Sequence, residues 1–302
     1  MSGSQWLEVT SGSTDFDSLL SKFRDAETLP DLPAAALELC DILDRGDANS
    51  TGIERIILGD PAITASVLKA ANSALFGGKS NQASTVKGAV LLLGQKAIRS
   101  IAVSVWVQSL VHQSKGSKKF SPTRFSEHSM FVGFLSKYLL SAAIKTHGVK
   151  SNWSPDELFA AGVLHDLGIG LLASIEPKLY DATVDFAFAH GITLEKAFDR
   201  ITGRSINDLS VAAAQAWKLP DLFVEVLNGF GDPLAAPAEK EALCCVAYAD
   251  FLANSTGRSL ADWKIEMPID HNIVECVGIE EDTVGDVLEL IDSHTKQFIT
   301  AA

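Results

Sequence analysis

The chain has 302 residues, and its 38 acidic against 25 basic side chains give a formal net charge of −13. An apolar fraction of 47% and a charged fraction of 21% are ordinary for globular proteins and exclude disorder over most of the chain. The negative net charge repels polyanions, so it also excludes a wholesale electrostatic grip on nucleic acid or anionic lipid.

The charge is unevenly distributed along the chain. Residues 1–60 hold 12 acids and 4 bases, whereas residues 61–120 hold 8 bases and no acid. We expect these two blocks to pack together and neutralise each other; the alternative is that residues 61–120 face a partner or an anion. Residues 121–302 carry 26 acids against 13 bases and account for the whole net charge.

Helix signals recur along the chain, whereas strand signals are nearly absent. A capping-box spacing begins at Thr51, and Asp60 precedes a proline at a first helical position. A long apolar helix pauses at Gly94, Ser126 is the expected cap of the next helix, and Ser154 opens another. The predicted helices span residues 32–44, 51–59, 60–76, 84–111, 126–145, 154–168, 178–189, 193–202, 206–218, 220–228, 237–254, 270–277 and 282–297.

The linker segments between these helices suggest two helical blocks. Residues 1–15 are predicted to be a flexible tail, and residues 16–120 a first helical block. The Lys-rich segment 112–123 is the expected linker into a second block, residues 121–302. Five side chains of the long apolar helix are expected to face the core: Val86, Val90, Leu91, Ile98 and Ile101.

The sequence predicts a cytoplasmic protein with no membrane contact. Its start lacks the basic and apolar regions of a signal peptide. The longest apolar stretch, residues 88–111, contains Lys96 and Arg99 and is too polar for a membrane span. The four cysteines show no regular spacing, the adjacent Cys244 and Cys245 are expected to be small buried side chains, and a reducing compartment is expected.

Two adjacent polar residues, His165 and Asp166, interrupt an otherwise apolar predicted helix. Burying both is costly unless each has a partner. Consecutive helical residues project about 100° apart, so a shared ion also needs ligands from other helices; His128 and Asp250 are the best donors. Such a set suits Mn, Fe, Zn or Mg, which would activate water against a phosphoester. The alternative is a hydrogen-bonded polar network without metal. His294, in a polar stretch, is expected to be solvated.

In chain order, His128, then His165 and Asp166, then Asp250 resemble the H…HD…D pattern of the HD phosphohydrolase superfamily. Earlier segments are similar to successive signatures of the HDOD family, the HD-related output domains of bacterial signalling proteins. These segments are residues 29–33 (LPDLP), 59–64 (GDPAIT), 68–77 (LKAANSALFG) and 92–94 (LLG). The resemblance covers about residues 20–255.

The resemblance implies an all-α fold in which an N-terminal helical subdomain packs on a degenerate HD-like helical subdomain with a C-terminal helical extension. It also implies bacterial signal transduction, with signalling proteins in trans as partners and a small nucleotide as candidate ligand. Three departures concern the site. Ile169 stands where catalytic relatives have Lys, Asn207 where many relatives have His, and Phe230 and Gly231 where they have a His pair.

We therefore expect a non-catalytic regulatory protein that needs no cofactor and acts by binding a partner protein or small ligand. The first alternative is a metal-dependent phosphohydrolase that acts on a nucleotide or phosphodiester through the four site residues and one divalent ion. The second alternative is nucleic-acid binding through the basic residues of 61–120, which the apolar pattern of the same segment disfavours.

Overall fold

The computed structural model describes residues 16–25, 29–30, 34–45, 49–76, 83–113, 116–260 and 269–299. Within these ranges the chain forms α-helices and two short 3-10 turns without any strand, so the all-α prediction is confirmed. The predicted tail, residues 1–15, lies outside the described part. The helices are α1 Phe16–Arg24, α2 Ala34–Asp44, α3 Ser50–Leu58, α4 Pro61–Asn72, α5 Val86–Gln113, α6 Pro122–His147, α7 Pro155–Leu164, α8 Leu167–Ile175, α9 Pro177–His190, α10 Leu194–Thr202, α11 Asn207–Ala216, α12 Asp221–Gly229, α13 Lys240–Ser255, α14 His271–Val277 and α15 Glu281–Ile299; the 3-10 turns are Ala74–Phe76 and Pro233–Ala235.

Two helix starts follow the predicted capping chemistry. The Asp60 carboxylate accepts hydrogen bonds from the first-turn N–H groups of α4. Ser154 and Glu157 form both arms of a capping box at the start of α7. These contacts satisfy N–H groups that a helix end leaves without partners.

Two other predicted starts are wrong by a few residues. Helix α3 begins after Asn49, whose side chain accepts from Gly52 N–H at 2.7 Å, and not at Thr51. Helix α6 begins after Ser121, because Ser121 caps the helix and a proline supplies its first position, so Ser126 lies inside it. In both regions two polar residues compete for the cap, and the sequence pattern alone favoured the later one.

Helix α5 is kinked at Gly94, as the sequence predicted. Gly94 has φ 78° and ψ 169°, a conformation that only glycine adopts at little cost. Before the kink, the buried stripe consists of Val86, Ala89 and Val90, whereas Leu91 is 70% exposed. The prediction that Leu91 faces the core is therefore wrong, because it lies one residue off the i, i+3, i+4 stripe.

Among the described residues, two helical stretches are long and apolar enough to cross a membrane by length and composition. They are Val86–His112 and Pro155–Ile175, and 61% and 89% of their apolar windows are buried inside the fold. Their apolar side chains thus serve mainly as contacts between helices.

Helix α6 lies at the centre of the second block and packs on α5, α7, α13 and α15. Its crossing with α7 depends on two glycines. A Cβ on Gly162 would lie 2.8 Å from the Gly133 Cα, and a Cβ on Gly133 would lie 2.8 Å from the Phe159 carbonyl oxygen. This backbone-to-backbone approach sets the distance between α6, which carries His128, and α7, which ends next to His165.

An ion-pair cluster joins α5 to α7. The buried Glu157 carboxylate accepts from Lys96 Nζ at 2.9 Å and from Arg99 Nη2 at 3.0 Å. Lys119 pairs in the same way with Asp185 on α9. These basic residues of 61–120 therefore pair with acids of 121–302. The expectation that they neutralise residues 1–60 is wrong for these three, since pairing follows spatial neighbours and not neighbouring segments.

We expect Glu157→Gln to lower the free energy of unfolding by about 1–3 kcal/mol, because Lys96 and Arg99 lose a carboxylate in a largely buried place. Burial opposes ionisation of Glu157, but its bonds to Ser154 and Lys96 outweigh burial and lower its pKa. The loss should therefore be full at neutral pH and shrink in acid. Urea unfolding at pH 7 and pH 4 measures it. Glu225→Gln, on the exposed face of α12, is the control; equal effects of the two variants would contradict the assignment.

Candidate metal centre

Four polar side chains from three parts of the chain meet in the core. His128 comes from the second turn of α6, one turn later than predicted, because α6 begins at Pro122. Asp250 comes from α13. His165 and Asp166 lie between α7 and α8, where the backbone of Asp166 (φ −98°, ψ 20°) leaves the helical conformation. The predicted continuous helix 154–168 is thus wrong: it ends at residue 164, and α8 follows.

The break between α7 and α8 lets two neighbouring residues reach one point. On a regular helix their side chains would diverge by about 100°, whereas here His165 Nε2 lies 3.2 Å from Asp166 Oδ2. The new start of α8 is held against α11. The Gly168 N–H donates to Ser210 Oγ at 2.7 Å, and a Cβ on Gly168 would lie 2.7 Å from the Ile206 carbonyl oxygen.

The other distances within the cluster are equally short. The Nε2 atoms of His128 and His165 are 3.3 Å apart. His128 Nε2 lies 3.3 Å from Asp166 Oδ2 and 3.2 Å from Asp250 Oδ1. His165 Nε2 lies 3.6 Å from the same Asp250 oxygen. Both imidazoles are fully buried, while the Asp250 side chain is 23% exposed, so Asp250 is the most exposed of the four residues.

Backbone carbonyls orient both imidazoles. His128 Nδ1 lies 2.7 Å from the Arg258 carbonyl oxygen, and His165 Nδ1 lies 2.7 Å from the Gly162 carbonyl oxygen. Because a carbonyl only accepts, each Nδ1 carries the proton, and each Nε2 of a neutral ring presents a lone pair to the cluster. This outer bonding is typical of metal-ligating histidines.

The donor set fits one divalent ion. Two Nε2 lone pairs and two carboxylate oxygens converge, and such acceptors repel one another unless a positive charge lies between them. Ligand atoms about 2.0–2.2 Å from one tetrahedral ion stand about 3.3–3.6 Å apart, close to the separations of 3.2–3.6 Å measured here. The ligand atoms of His128, His165 and Asp166 all lie within 4.8 Å of one another, and Asp250 Oδ1, 3.2 Å and 3.6 Å from the two Nε2 atoms, is a fourth candidate ligand.

Protons satisfy the same demand for positive charge when no metal is bound. Burial disfavours the charged form of His128, but hydrogen bonds to Asp166 and Asp250 outweigh it and raise its pKa to about 9. Against the same burial, the charge of Asp166 raises the pKa of His165 well above its usual value. Burial also opposes ionisation of Asp166 and Asp250, yet the two imidazoles hold both carboxyl pKa values below their usual range.

One of the positions that depart from the family pattern lies directly against the cluster. The Phe230 ring stands edge-on to the His165 ring at 5.5 Å. A Cβ on Gly231 would lie 3.2 Å from Asn207 Nδ2, so these two positions face each other. Ile169 is buried at 1% exposure. None of these four residues is a cation, and Phe230 places an apolar ring beside His165.

Two orienting groups escaped the sequence reasoning. The carbonyls of Gly162 and Arg258 belong to the backbone, so no residue type marks them. Gly162 lies three residues before His165, a spacing at which a carbonyl can reach a side chain on the same helix. Arg258 lies 130 residues from His128, and only the fold brings the two together.

Comparison with known proteins gives one family. The sequence profile of the HDOD domain matches residues 29–230. An uncharacterised protein of Treponema pallidum (strain Nichols) is 21% identical over 225 residues, which are 74% of this chain and 42% of that protein. The chain thus spans less than half the length of this curated relative.

Solved structures share the fold. A crystallised HDOD domain protein of unknown function from Geobacter sulfurreducens has a TM-score of 0.72 at 21% identity, covering 94% of this chain and 99% of that one. A proposed phosphohydrolase from Shewanella amazonensis SB2B has a TM-score of 0.69 at 23% identity, with coverage of 94% and 97%. A proposed signal transduction protein from Marinobacter aquaeolei VT8 has a TM-score of 0.69 at 15% identity, with coverage of 95% and 65%. At these identities the likeness establishes the fold alone.

Proposed function

Because the chain belongs to the HDOD family, we propose that it is a regulatory module of bacterial signal transduction that acts by binding and not by hydrolysis, with one divalent ion in its central cluster. Its partners are signalling proteins in trans, with a small nucleotide as candidate ligand, and it works in the cytoplasm without membrane contact. The observation that carries the proposal is the contrast between four converging candidate ligands and the lack of a cation at Ile169, Asn207, Phe230 and Gly231.

The four ligands each have a defined part. His128 and His165 would hold the ion through Nε2, while the carbonyls of Arg258 and Gly162 keep the rings in place. Asp166 and Asp250 would neutralise its charge. When bound, a divalent ion would supply Lewis-acid chemistry that lowers the pKa of a water molecule. The chain's own contribution is to tie α6, the α7–α8 break and α13 to one point.

Hydrolysis of a phosphoester needs more than a metal. Charge that develops on the phosphoryl oxygens has to be stabilised by preorganised cations or hydrogen-bond donors. Here Ile169 and Phe230 are apolar, and Asn207 is neutral. Since groups around a metal affect activity nearly as much as its ligands, these positions favour binding over turnover.

The contacts of residues 61–120 support nucleic-acid binding less than they support packing within the fold. Lys96, Arg99 and Lys119 are paired with Glu157 and Asp185. A basic surface that grips phosphates would need those charges free for exchange with counterions. We therefore do not propose a nucleic-acid partner.

We expect the purified full chain, loaded with Mn²⁺, Fe²⁺, Zn²⁺ or Mg²⁺ in turn and desalted, to retain about one ion of the preferred metal. Asp250→Asn should lose that ion, because it replaces a charged ligand with a weaker neutral one, whereas the exposed Asp199→Asn should keep it. Elemental analysis measures the metal. Hydrolysis of bis(p-nitrophenyl) phosphate should stay at the level of the metal-only blank.

Two outcomes would contradict the proposal separately. Saturable hydrolysis by the wild type that Asp250→Asn abolishes would make the protein a phosphohydrolase. Failure to retain any of the four metals would reduce the cluster to a polar network and overturn the metal part alone.

A further inference from the structure

The signature segment 68–77 contributes none of the four cluster ligands. Its described part forms the end of α4 and the 3-10 turn Ala74–Phe76, and it lies against α15. A cavity of about 550 Å³ lies between them, within the usual range for small-molecule sites. It is lined by Leu68, Lys69, Asn72, Ser73, Ala74, His294, Gln297 and Phe298.

A buried histidine forms part of the α15 wall. His294 is 8% exposed, so the expectation that it is solvated is wrong; it lies on the inner face of α15 near Phe134. Its Nδ1 lies 2.7 Å from the Leu290 carbonyl oxygen and therefore carries a proton. Nε2 is the ring atom left for a ligand in the cavity, as an acceptor when neutral and a donor when charged.

Lys69 and Ser73 provide donors from the opposite wall. Lys69 Nζ donates to the Gln297 carbonyl oxygen at 2.6 Å, which uses one of its three protons. Partial burial lowers the pKa of Lys69, and most of its ammonium group stays accessible to solvent and to a ligand. Ser73 is 7% exposed, and its Oγ accepts from the Leu75 N–H at 3.2 Å, which leaves its O–H as a donor.

The shape of this wall is fixed by Asn72. Its side-chain amide donates to the carbonyls of Leu68 and Ala83, and its oxygen accepts from the Ala83 N–H. Asn72 thus ties the end of α4 to Ala83. The polar groups that would contact a ligand belong to Lys69, Ser73 and His294. A wall held in this way is preformed, which lowers the entropic cost of binding.

The lining has a definite charge character. Its described lining residues provide an ammonium, an imidazole and a hydroxyl donor, and no carboxylate is among them. Leu68, Ala74 and Phe298 supply apolar surface beside these groups. Such a lining matches a ligand with one anionic group and an apolar body of a few carbon atoms.

We propose that this cavity binds a small organic anion, a phosphate ester or a carboxylate, with its charged group at Lys69, Ser73 and His294 and its apolar part on Leu68 and Phe298. The site lies apart from the metal ligands and does not depend on them. One of its walls, α15, lies beyond the residues matched by the HDOD profile. Occupancy would join α4 of the first block to the last helix of the chain.

The test uses the full chain as purified and three probes of similar size: phenyl phosphate, benzoate and benzylamine. Calorimetry should show saturable binding of phenyl phosphate or benzoate, at least about tenfold tighter than benzylamine, because only the anions complement Lys69. Binding of the phosphate alone would identify a phosphate ester as the ligand class, and binding of benzoate alone a carboxylate.

Lys69→Met should weaken anion binding by about tenfold or more, whereas Lys87→Met, an equal charge change at an exposed position of α5, should leave it unchanged. Ala74→Phe fills the cavity without removing a polar group and should block binding, which keeps the test decisive if Lys69→Met is unfolded. The proposal is overturned if neither anion binds at about 10 mM, or if Ala74→Phe binds as the wild type does. Metal retention measured on the same samples separates this result from the fate of the metal centre.

Discussion

Stripped of metal, the protein should lose stability as the pH rises from about 6.5 to 9, by about 3 kcal/mol through His128 alone. Bonds to the two carboxylates raise the pKa of His128 to about 9 against the cost of burial. A raised imidazole pKa contributes stability that is complete below the unfolded value near 6.5. That contribution disappears as the pH passes the folded value, and His165 acts in the same direction.

The carboxylates set the acid limit of the same curve. The pKa values of Asp166 and Asp250 are lowered, so their contribution is present above their usual range and is lost as the pH falls through the lowered values. The metal-free cluster should therefore be most stable between about pH 4 and 6.5. With metal bound the slope above pH 6.5 should reverse, since a metal competes with protons for Nε2 and stabilises more at higher pH.

Urea unfolding at pH 6, 7.5 and 9, in EDTA and in excess metal, measures both slopes. His128→Gln should flatten the metal-free curve, and the exposed His271→Gln should leave it as in the wild type. A metal-free stability that is level or rises from pH 6.5 to 9 would mean that both rings are neutral in the native protein. The metal-free cluster would then have no positive charge at its centre.

The four cluster residues could be selected from the sequence because they are exceptions to their surroundings. A histidine and an aspartate inside an apolar helix need partners, and the other apolar helices contain few polar residues that could be those partners. The relative positions of these four side chains could not be predicted in this way. Residues 155–175 are apolar almost throughout, so the break at Asp166 has no strong local signal, and it depends on α8 packing against Ser210 and Ile206.

The same distinction between local and tertiary causes separates the other successes from the errors. Asp60 and Ser154 act on their own helices, and their roles were predictable from a few adjacent residues. The partners of Lys96 and Arg99, the exposure of Leu91 and the burial of His294 depend on which helix lies opposite. Helix propensity and hydrophobic periodicity describe a residue's own helix, and they do not show which other helix lies opposite.

The largest effect of a single methyl group should appear where α6 crosses α7. Gly162→Ala should lower the free energy of unfolding by about 2–3 kcal/mol, because its Cβ would lie 2.8 Å from Gly133 Cα, and backbone cannot move aside as a side chain can. The shift would also displace His165, whose Nδ1 donates to the Gly162 carbonyl, so metal retention should fall with stability. Gly285→Ala in α15, where a Cβ meets nothing within 4 Å, should instead stabilise by about 0.5–1 kcal/mol through helix propensity. Thermal and urea unfolding of both variants measure the contrast, and a Gly162→Ala protein as stable and as metal-loaded as the wild type would show that the close crossing does not position the cluster.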